Sequence, residues 1–284
     1  MFSKTSQSKY PQLRFSGFHE EWVTDKLHKI NLSVIDGDRG ANYPNGNDFT
    51  QAGYCLFMNA KNVTKNGFSF EEVMFISKEK DELLRKGKLQ LNDLVLTTRG
   101  SVGHIAFFDD SVRFSRMRIN SGMVLIRNQN ENIDPEFVYI SFFAPTLKKR
   151  IKTVSFGSAQ PQLTVKEINL LPISIPSLPE QQKIAAFLSA VDKKIQLLQR
   201  KKELLEQYKK GVMQKIFSQE IRFKDENGND YPEWVEKKLG DITYKESSNI
   251  SANSIKGTGG NYPVYGAAGY IQNIDYYQQA GEYI

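Results

Sequence analysis

The chain has 284 residues, 39% of them hydrophobic, with 38 Lys and Arg against 32 Asp and Glu for a formal net charge of +6. That supports one to three domains with real cores, and a pI near 9.1 suits a polyanionic partner. A single cysteine, Cys55, excludes an internal disulfide framework. The polar stretch Met1–Lys9 lacks a secretion-signal core, and no apolar run nears the roughly 20 residues of a membrane helix, so a cytoplasmic protein with no membrane partner is expected.

Residues 10–175 read as an α+β domain rich in short strands. Turn signals punctuate it at Asp36-Gly37, Asn45-Gly46 and Asn66-Gly67. Strands are predicted at Tyr54–Met58, Leu94–Thr98, His104–Phe108 and Met123–Arg127. Arg99-Gly100-Ser101-Val102-Gly103 reads as the hairpin turn between the second and third of these. A short surface helix is expected at Lys78–Lys86. A second helix opens at Asp134 (N-cap) and Pro135 (N1), breaks near Pro145 and resumes to about Val154. A loop over Phe156–Gln162 follows.

The texture then changes. Leu171–Pro179 is extended and proline-punctuated, and Ser177 and Glu180 have capping-box spacing. From Pro179 to Ser218 there is no further proline and one glycine, Gly211, which gives a helix roughly 60 Å long. Ile184, Val191, Leu198, Leu205 and Val212 recur at sevens, with Leu188, Ile195 and Ile216 on the companion seam. Lys202 and Lys209 interrupt the second seam. This is coiled-coil periodicity, and such a stripe needs a partner to cover it. A long helix packed on its own domain is the plainer alternative.

The chain also repeats itself. Glu21-Trp22-Val23, then Lys26-Leu27 and Ile30, match Glu233-Trp234-Val235, then Lys238-Leu239 and Ile242; upstream, Leu13-Arg14-Phe15 parallels Ile221-Arg222-Phe223. The repeat unit is about 210 residues: a domain, a long helix, and the same domain beginning again. By pattern, Glu282-Tyr283-Ile284 matches Asp93-Leu94-Val95, and a truncated second copy is expected. Charge follows this division, with 23 basic against 18 acidic residues in 1–178, 9 against 4 in 179–218, and 6 against 10 in 219–284.

Two further strings are specific. One is Gly157-Ser158-x-Gln160-x-x-Leu163, followed by Ile173, Pro176, Leu178-Pro179, Gln182, Ile184-Ala185 and Phe187-Leu188 at their spacings; the other is Asp93-Leu-Val-Leu-Thr-Thr-Arg99-Gly-Ser-Val-Gly103. With the repeated Arg-Phe…Glu-Trp…Leu signature, they resemble specificity subunits of type I restriction-modification systems over essentially the whole chain. The resemblance implies a target-recognition domain at 1–176, a conserved spacer helix at 177–218, and the start of a second recognition domain at 219–284. It implies a DNA-binding subunit without catalysis, in which each recognition domain reads half of a split target and the helix sets the gap. Double-stranded DNA, methyltransferase (M) subunits and restriction (R) subunits are the implied partners. No cofactor is implied in this chain; S-adenosylmethionine, magnesium and ATP belong to the partner subunits. Because the second helix of the family pattern is missing, a second copy of the chain is expected to pair through the first.

The motifs of competing chemistry are missing, and a nuclease built from scattered carboxylates is the enzymatic alternative the residues leave open. A methyltransferase needs an Asn/Asp-Pro-Pro-aromatic motif, and Asp134-Pro135-Glu136-Phe137 has Glu136 where the second proline belongs. There is no Gly-x-x-x-x-Gly-Lys-Ser/Thr phosphate loop. His19, His28, His104 and Cys55 show no metal-ligand spacing. The competing readings are a fused restriction or methylation enzyme and a coiled-coil scaffold that binds no DNA. Candidate DNA contacts are the residue types that bind phosphates and base edges. They are Arg113, Arg116 and Arg118, with Arg116 and Arg118 on one side if extended. Lys148, Lys149, Arg150 and Lys152 cluster at a helix end. Arg99 and Ser101 lie at the tight turn, Lys61 and Asn62 in a polar loop, and Ser158 and Gln160 in the Gly157–Leu163 loop. Each also reads as a solvated turn or as a helix terminus balancing its dipole.

Overall fold

The structure is a computed structural model that describes residues 11, 13–155, 161–244, 259–266 and 269–276. The expected match of Glu282–Ile284 to Asp93–Val95, and the loop positions Ser158 and Gln160, lie outside the described residues. The chain divides into two compact units, 1–206 and 207–284.

In the first unit the strands and helices run β1 (Val23–Lys26), β2 (Leu32–Asp36), β3 (Cys55–Phe57), β4 (Val63–Thr64), β5 (Gly67–Phe68), β6 (Phe75–Ile76), α1 (Lys78–Leu83), β7 (Leu94–Thr97), β8 (Ile105–Phe107), β9 (Met117–Arg118), β10 (Met123–Asn128), α2 (Pro135–Ser141), α3 (Pro145–Ser155), α4 (Val165–Asn169) and β11 (Pro172–Ile175). The strands predicted from apolar runs are all present, each within two residues of its expected ends. α1 is shorter than expected because Leu84 leaves the helical region and turns its buried side chain inward.

The centre is an antiparallel sheet in the order β2-β10-β7-β8. Its strands read as continuous apolar runs because both faces are covered. Leu94, Leu96, Val124 and Ile126 face a core with Val138, Phe142, Leu147, Ile151 and Ile168, while Val95, Leu125 and Ala106 face a second core with Leu56, Met58 and Met117. The order and register (Asp36↔Val124, Met123↔Thr97, Leu96↔Ile105) bring the end of β2, the start of β10, the end of β7 and the start of β8 to one edge. The loops after β2, before β10 and between β7 and β8 therefore stand together.

Asp134 caps α2 as its sequence predicts: its Oδ1 accepts from Phe137 N at 2.8 Å, with Pro135 in the first turn. The chain breaks at residues 142–144 and resumes as α3 at Pro145. β11 then pairs antiparallel with β1, Val23 opposite Ile175, which joins the first copy of the repeated signature to the segment before the long helix.

That helix, α5, runs Leu178–Phe217. The Ser177–Glu180 capping box gives way to other contacts. The N–H groups of Glu180 and Gln181 both donate to Ser177 O, and the Glu180 carboxylate is fully buried against Arg14. Beyond this first stretch every residue from 190 to 210 is exposed, and Val191, Ile195, Leu198 and Leu205 of the seam are among them. Leu188 is 37% exposed; Ile184, Val212 and Ile216 are half-buried.

The second unit holds the end of α5, a short α6 (Leu239–Ile242), and the hairpin β12 (Tyr262–Gly266) with β13 (Gly269–Ile274). It repeats one contact of the first. Arg14 Nη2 donates to Glu20 O at 2.6 Å, and Arg222 Nη2 donates to Pro232 O at 2.5 Å; each carbonyl immediately precedes the Glu-Trp pair of its copy.

Candidate nucleic-acid interface

The loops gathered at one end of the central sheet form the candidate interface. The β7–β8 turn is built by Thr97. Its hydroxyl donates to Ser101 O and accepts from His104 N at 3.0 Å, while Gly103 N donates to Thr97 O at 3.0 Å. Gly100 and Gly103 have φ of +70° and +89°, which L side chains avoid. A Cβ on Gly103 would also lie 3.2 Å from Ile151 Cγ2, so glycine lets the turn sit on α3. The turn is tied on both flanks: Thr98 N donates to Gly122 O at 2.8 Å, and Leu163 N donates to Thr98 O at 3.0 Å.

α3 buries Leu147, Ile151 and Ser155 and leaves Lys148, Lys149, Arg150 and Lys152 exposed. Between α3 and the turn lies a cavity of about 490 Å³ lined by Ser101, His104, Lys148, Lys152, Ser155 and Pro161, among others. The structure therefore brings together two of the candidate groups, the Arg99–Ser101 turn and the Lys148–Lys152 cluster. It also places residues 161 and 162 beside them, through the bridge between Arg99 and Gln162.

Other candidates are committed elsewhere. Arg118 is a correction: it is 3% exposed, its Nε donates to Asp81 Oδ1 at 2.8 Å, and Nη1 and Nη2 donate to Lys86 O and Asp81 O. It ties α1 to β9 and is committed inside the domain rather than offered to DNA. The expectation that Arg116 and Arg118 share a side fails, because β9 is only two residues long and Met117, Arg118 and Ile119 are all buried while Arg116 is exposed. Arg116 lies over the Tyr54 ring at 4.7 Å, and Arg113 over Phe114 at 5.1 Å. Asn62 is also a correction. It is 1% exposed and its amide donates to Ser69 O and Glu72 O, which closes the loop containing β4 and β5. Lys61 Nζ pairs with Glu72 at 2.6 Å on the surface.

Sequence reasoning missed the loops on the far side of the Arg99 turn. A Cβ on Gly37 would come within 2.2 Å of Asn120 O, so the chain after β2 passes directly against the loop before β10. Arg39 joins the two, with Nη2 donating to Ser121 O at 3.1 Å and pairing with Asp36; it remains 47% exposed. Arg85 lies beside Gly40. Asp38 organises this corner, accepting from Gly40 N at 2.8 Å and Arg85 N at 2.7 Å, and these N–H groups hold its carboxyl below the usual carboxylate range. The Asp36-Gly37 turn was the available signal.

Groups with catalytic precedent are used structurally. Asp93 accepts a bidentate pair from Arg127 at 2.8 and 2.7 Å, and its Oδ2 also accepts from Gln90 N. Burial and, after it, the Asp81 charge push the Cys55 thiol up to about 12. Glu136 accepts from the Ser189 hydroxyl at 2.5 Å, and Asp134 caps α2, so the Asp134–Phe137 string is a helix start. No described helix is long and apolar enough to cross a membrane.

The chain is similar to the MjaIX and MjaVIII type I restriction enzyme specificity subunits of Methanocaldococcus jannaschii. Identity is 26% over 202 residues in the first case, covering 65% of this chain and 45% of the relative, and 25% over 217 residues in the second, covering 73% and 48%. It thus spans about half the length of these relatives. Its fold is similar to that of a solved type I restriction-modification S subunit from M. genitalium, at 16% identity and a TM-score of 0.53, covering 93% of this chain and 65% of that one. Residues 20–207, which hold the sheet, the clustered loops and most of α5, match the family described as the type I restriction modification DNA specificity domain, and the chain belongs to that family.

Proposed function

We propose that the first unit reads one half of a split double-stranded DNA target, without catalysis, for a type I restriction-modification assembly. The observation that carries this is the convergence of exposed cations at one end of the central sheet, Arg39 and Arg99 on its loops and Lys148 and Lys152 on α3 beside them. Phosphates orient a protein on duplex DNA through such groups, and the polar loop atoms of Ser101, Asn120 and Ser121 stand among them for base edges. M and R subunits would supply the chemistry, with S-adenosylmethionine, magnesium and ATP bound there, in the cytoplasm. The exposed seam of α5 fits a second copy packed antiparallel, which would make the target a split palindrome.

Methylome sequencing of a host carrying the chain with its methyltransferase partner tests the reading. One bipartite motif that depends on this chain is expected. In binding assays, replacing Lys148 and Lys152 by Ala should lower the salt slope by about 0.9 for each phosphate the protein no longer neutralises. A chain with no salt-dependent DNA affinity, alone or with its partner, would leave the scaffold reading standing.

A further inference from the structure

The root of α5 is held by polar groups rather than by apolar packing alone. Arg14 Nε and Nη2 donate to the two Glu180 oxygens, each at 2.7 Å, and Glu180 is fully buried. Gln181, 1% exposed, is satisfied on both ends of its amide: Oε1 accepts from Asp134 N at 2.9 Å, and Nε2 donates to Asn132 O at 3.1 Å and Pro176 O at 2.9 Å. Ser189 donates to Glu136, and Ala185 is buried between these points. Phe187 packs edge-on against Phe15 at 5.6 Å, and Lys183 lies over Phe15 and Phe18.

At about 100° per residue these contacts fall on two arcs of the helix. Taking Glu180 as zero, Phe187 and Lys183 stand at about 340° and 300°, and all three face the segment containing Arg14, Phe15 and Phe18. Gln181, Ala185 and Ser189 stand at about 100°, 140° and 180°; Gln181 and Ser189 reach the start of α2. The seam residues Ile184, Leu188, Val191 and Ile195 occupy about 20° to 80°, the gap between the arcs. A roll by one residue would break every directional bond and turn the seam away. Hydrogen bonds resist rolling in a way that apolar contacts do not, and each buried one leaves an unsatisfied partner if it breaks.

We infer that Arg14, Glu180, Gln181 and Ser189 form a joint that locks the rotation and angle of α5 on the reading domain, and that these positioning residues determine how strictly the gap between half-sites is measured. This rests on the proposed reading, in which the helix is the ruler. A ruler measures only if its attachment is stiff. The repeated signature acquires a structural meaning from this: its arginine clamps the helix root, and Trp22 packs on Phe137 at the start of α2, 6.2 Å between centroids.

The test uses the full chain with its methyltransferase partner and a library of targets in which the half-sites are fixed and the gap is varied by one base pair at a time. Wild type is expected to modify one gap length. Glu180→Gln and Gln181→Ala should raise methylation at gaps one base pair longer or shorter by at least tenfold relative to the preferred gap, with half-site bases unchanged. Ser189→Ala, which removes one partly exposed bond and leaves the domain core intact, should give a smaller shift in the same direction and carries the test if the buried variants do not fold. Variants that keep the wild-type gap preference while only losing yield would overturn the inference. If wild type itself modifies no split target, the proposed function fails instead.

Discussion

Arg118 Nε meets Asp81 Oδ1 at 2.8 Å, with the two side chains only 4% and 1% exposed. Burial pushes the Asp81 carboxyl up, but hydrogen bonds from Lys88 and Arg118 outweigh it and the net direction is down. Removing Arg118 leaves Asp81 its Lys88 partner but takes one bond from the carboxylate and orphans the Lys86 and Asp81 carbonyls, at a cost of about 3 kcal/mol. Arg118→Ala should therefore destabilise the first unit by that amount, whereas Arg116→Ala, which gives up only a surface stacking on Tyr54, should cost about 1 kcal/mol or less. Urea unfolding followed at Trp22, in a Trp234→Phe background, separates the two outcomes. Equal small effects would show that Arg118 does not tie α1 to β9.

Cys55 is fully buried in the same region. With its pKa at about 12 against about 8.5 in an unfolded chain, the thiolate fraction at pH 8 falls roughly a thousandfold. Alkylation by iodoacetamide should be correspondingly slow in the native protein and fast in urea. Rapid native labelling would mean that β3 opens readily.

The first unit's strands and the position of α5 were legible because apolar runs and heptads report burial and period directly. Asp134 and Pro135 were legible because a cap is a local contact. The arginines were not. Arg113, Arg116 and Arg118 look alike in sequence, yet one is a core residue, since its fate depends on Asp81, 37 positions away. Arg39 went unnoticed for the converse reason: it reaches the candidate interface only because Gly37 lets two distant loops touch. The Glu180 spacing suggested a local cap, and the partner it found lies 166 residues away.

Asp38 makes stability depend on acid. Its carboxyl is depressed by the N–H groups of Gly40 and Arg85, so the unfolded chain binds a proton more tightly than the folded one. The stabilisation is complete above the unfolded value near 3.9 and is lost as pH falls through the lower folded value. Asp38→Asn should cost about 1–3 kcal/mol at pH 7, and the gap to wild type should narrow below about pH 4. Unfolding midpoints at pH 7, 5 and 3.5 read this. A gap that widens in acid would contradict the sign.

Leu198 and Leu205 are 56% and 55% exposed on α5, in a stretch where every neighbour is exposed too. A helix with so long an apolar seam in water gains by burying it against another helix, and the heptad spacing suits an antiparallel or parallel coiled coil. Replacing both residues by Asp places charges where the partner would pack. Sedimentation should then report monomer at micromolar concentration where wild type self-associates. Neither side chain contributes to the buried core, so unfolding of the first unit should shift by no more than about 0.5 kcal/mol. A wild type that remains monomeric, alone and with methyltransferase present, would rule out pairing through this seam and leave the partner subunits to cover it.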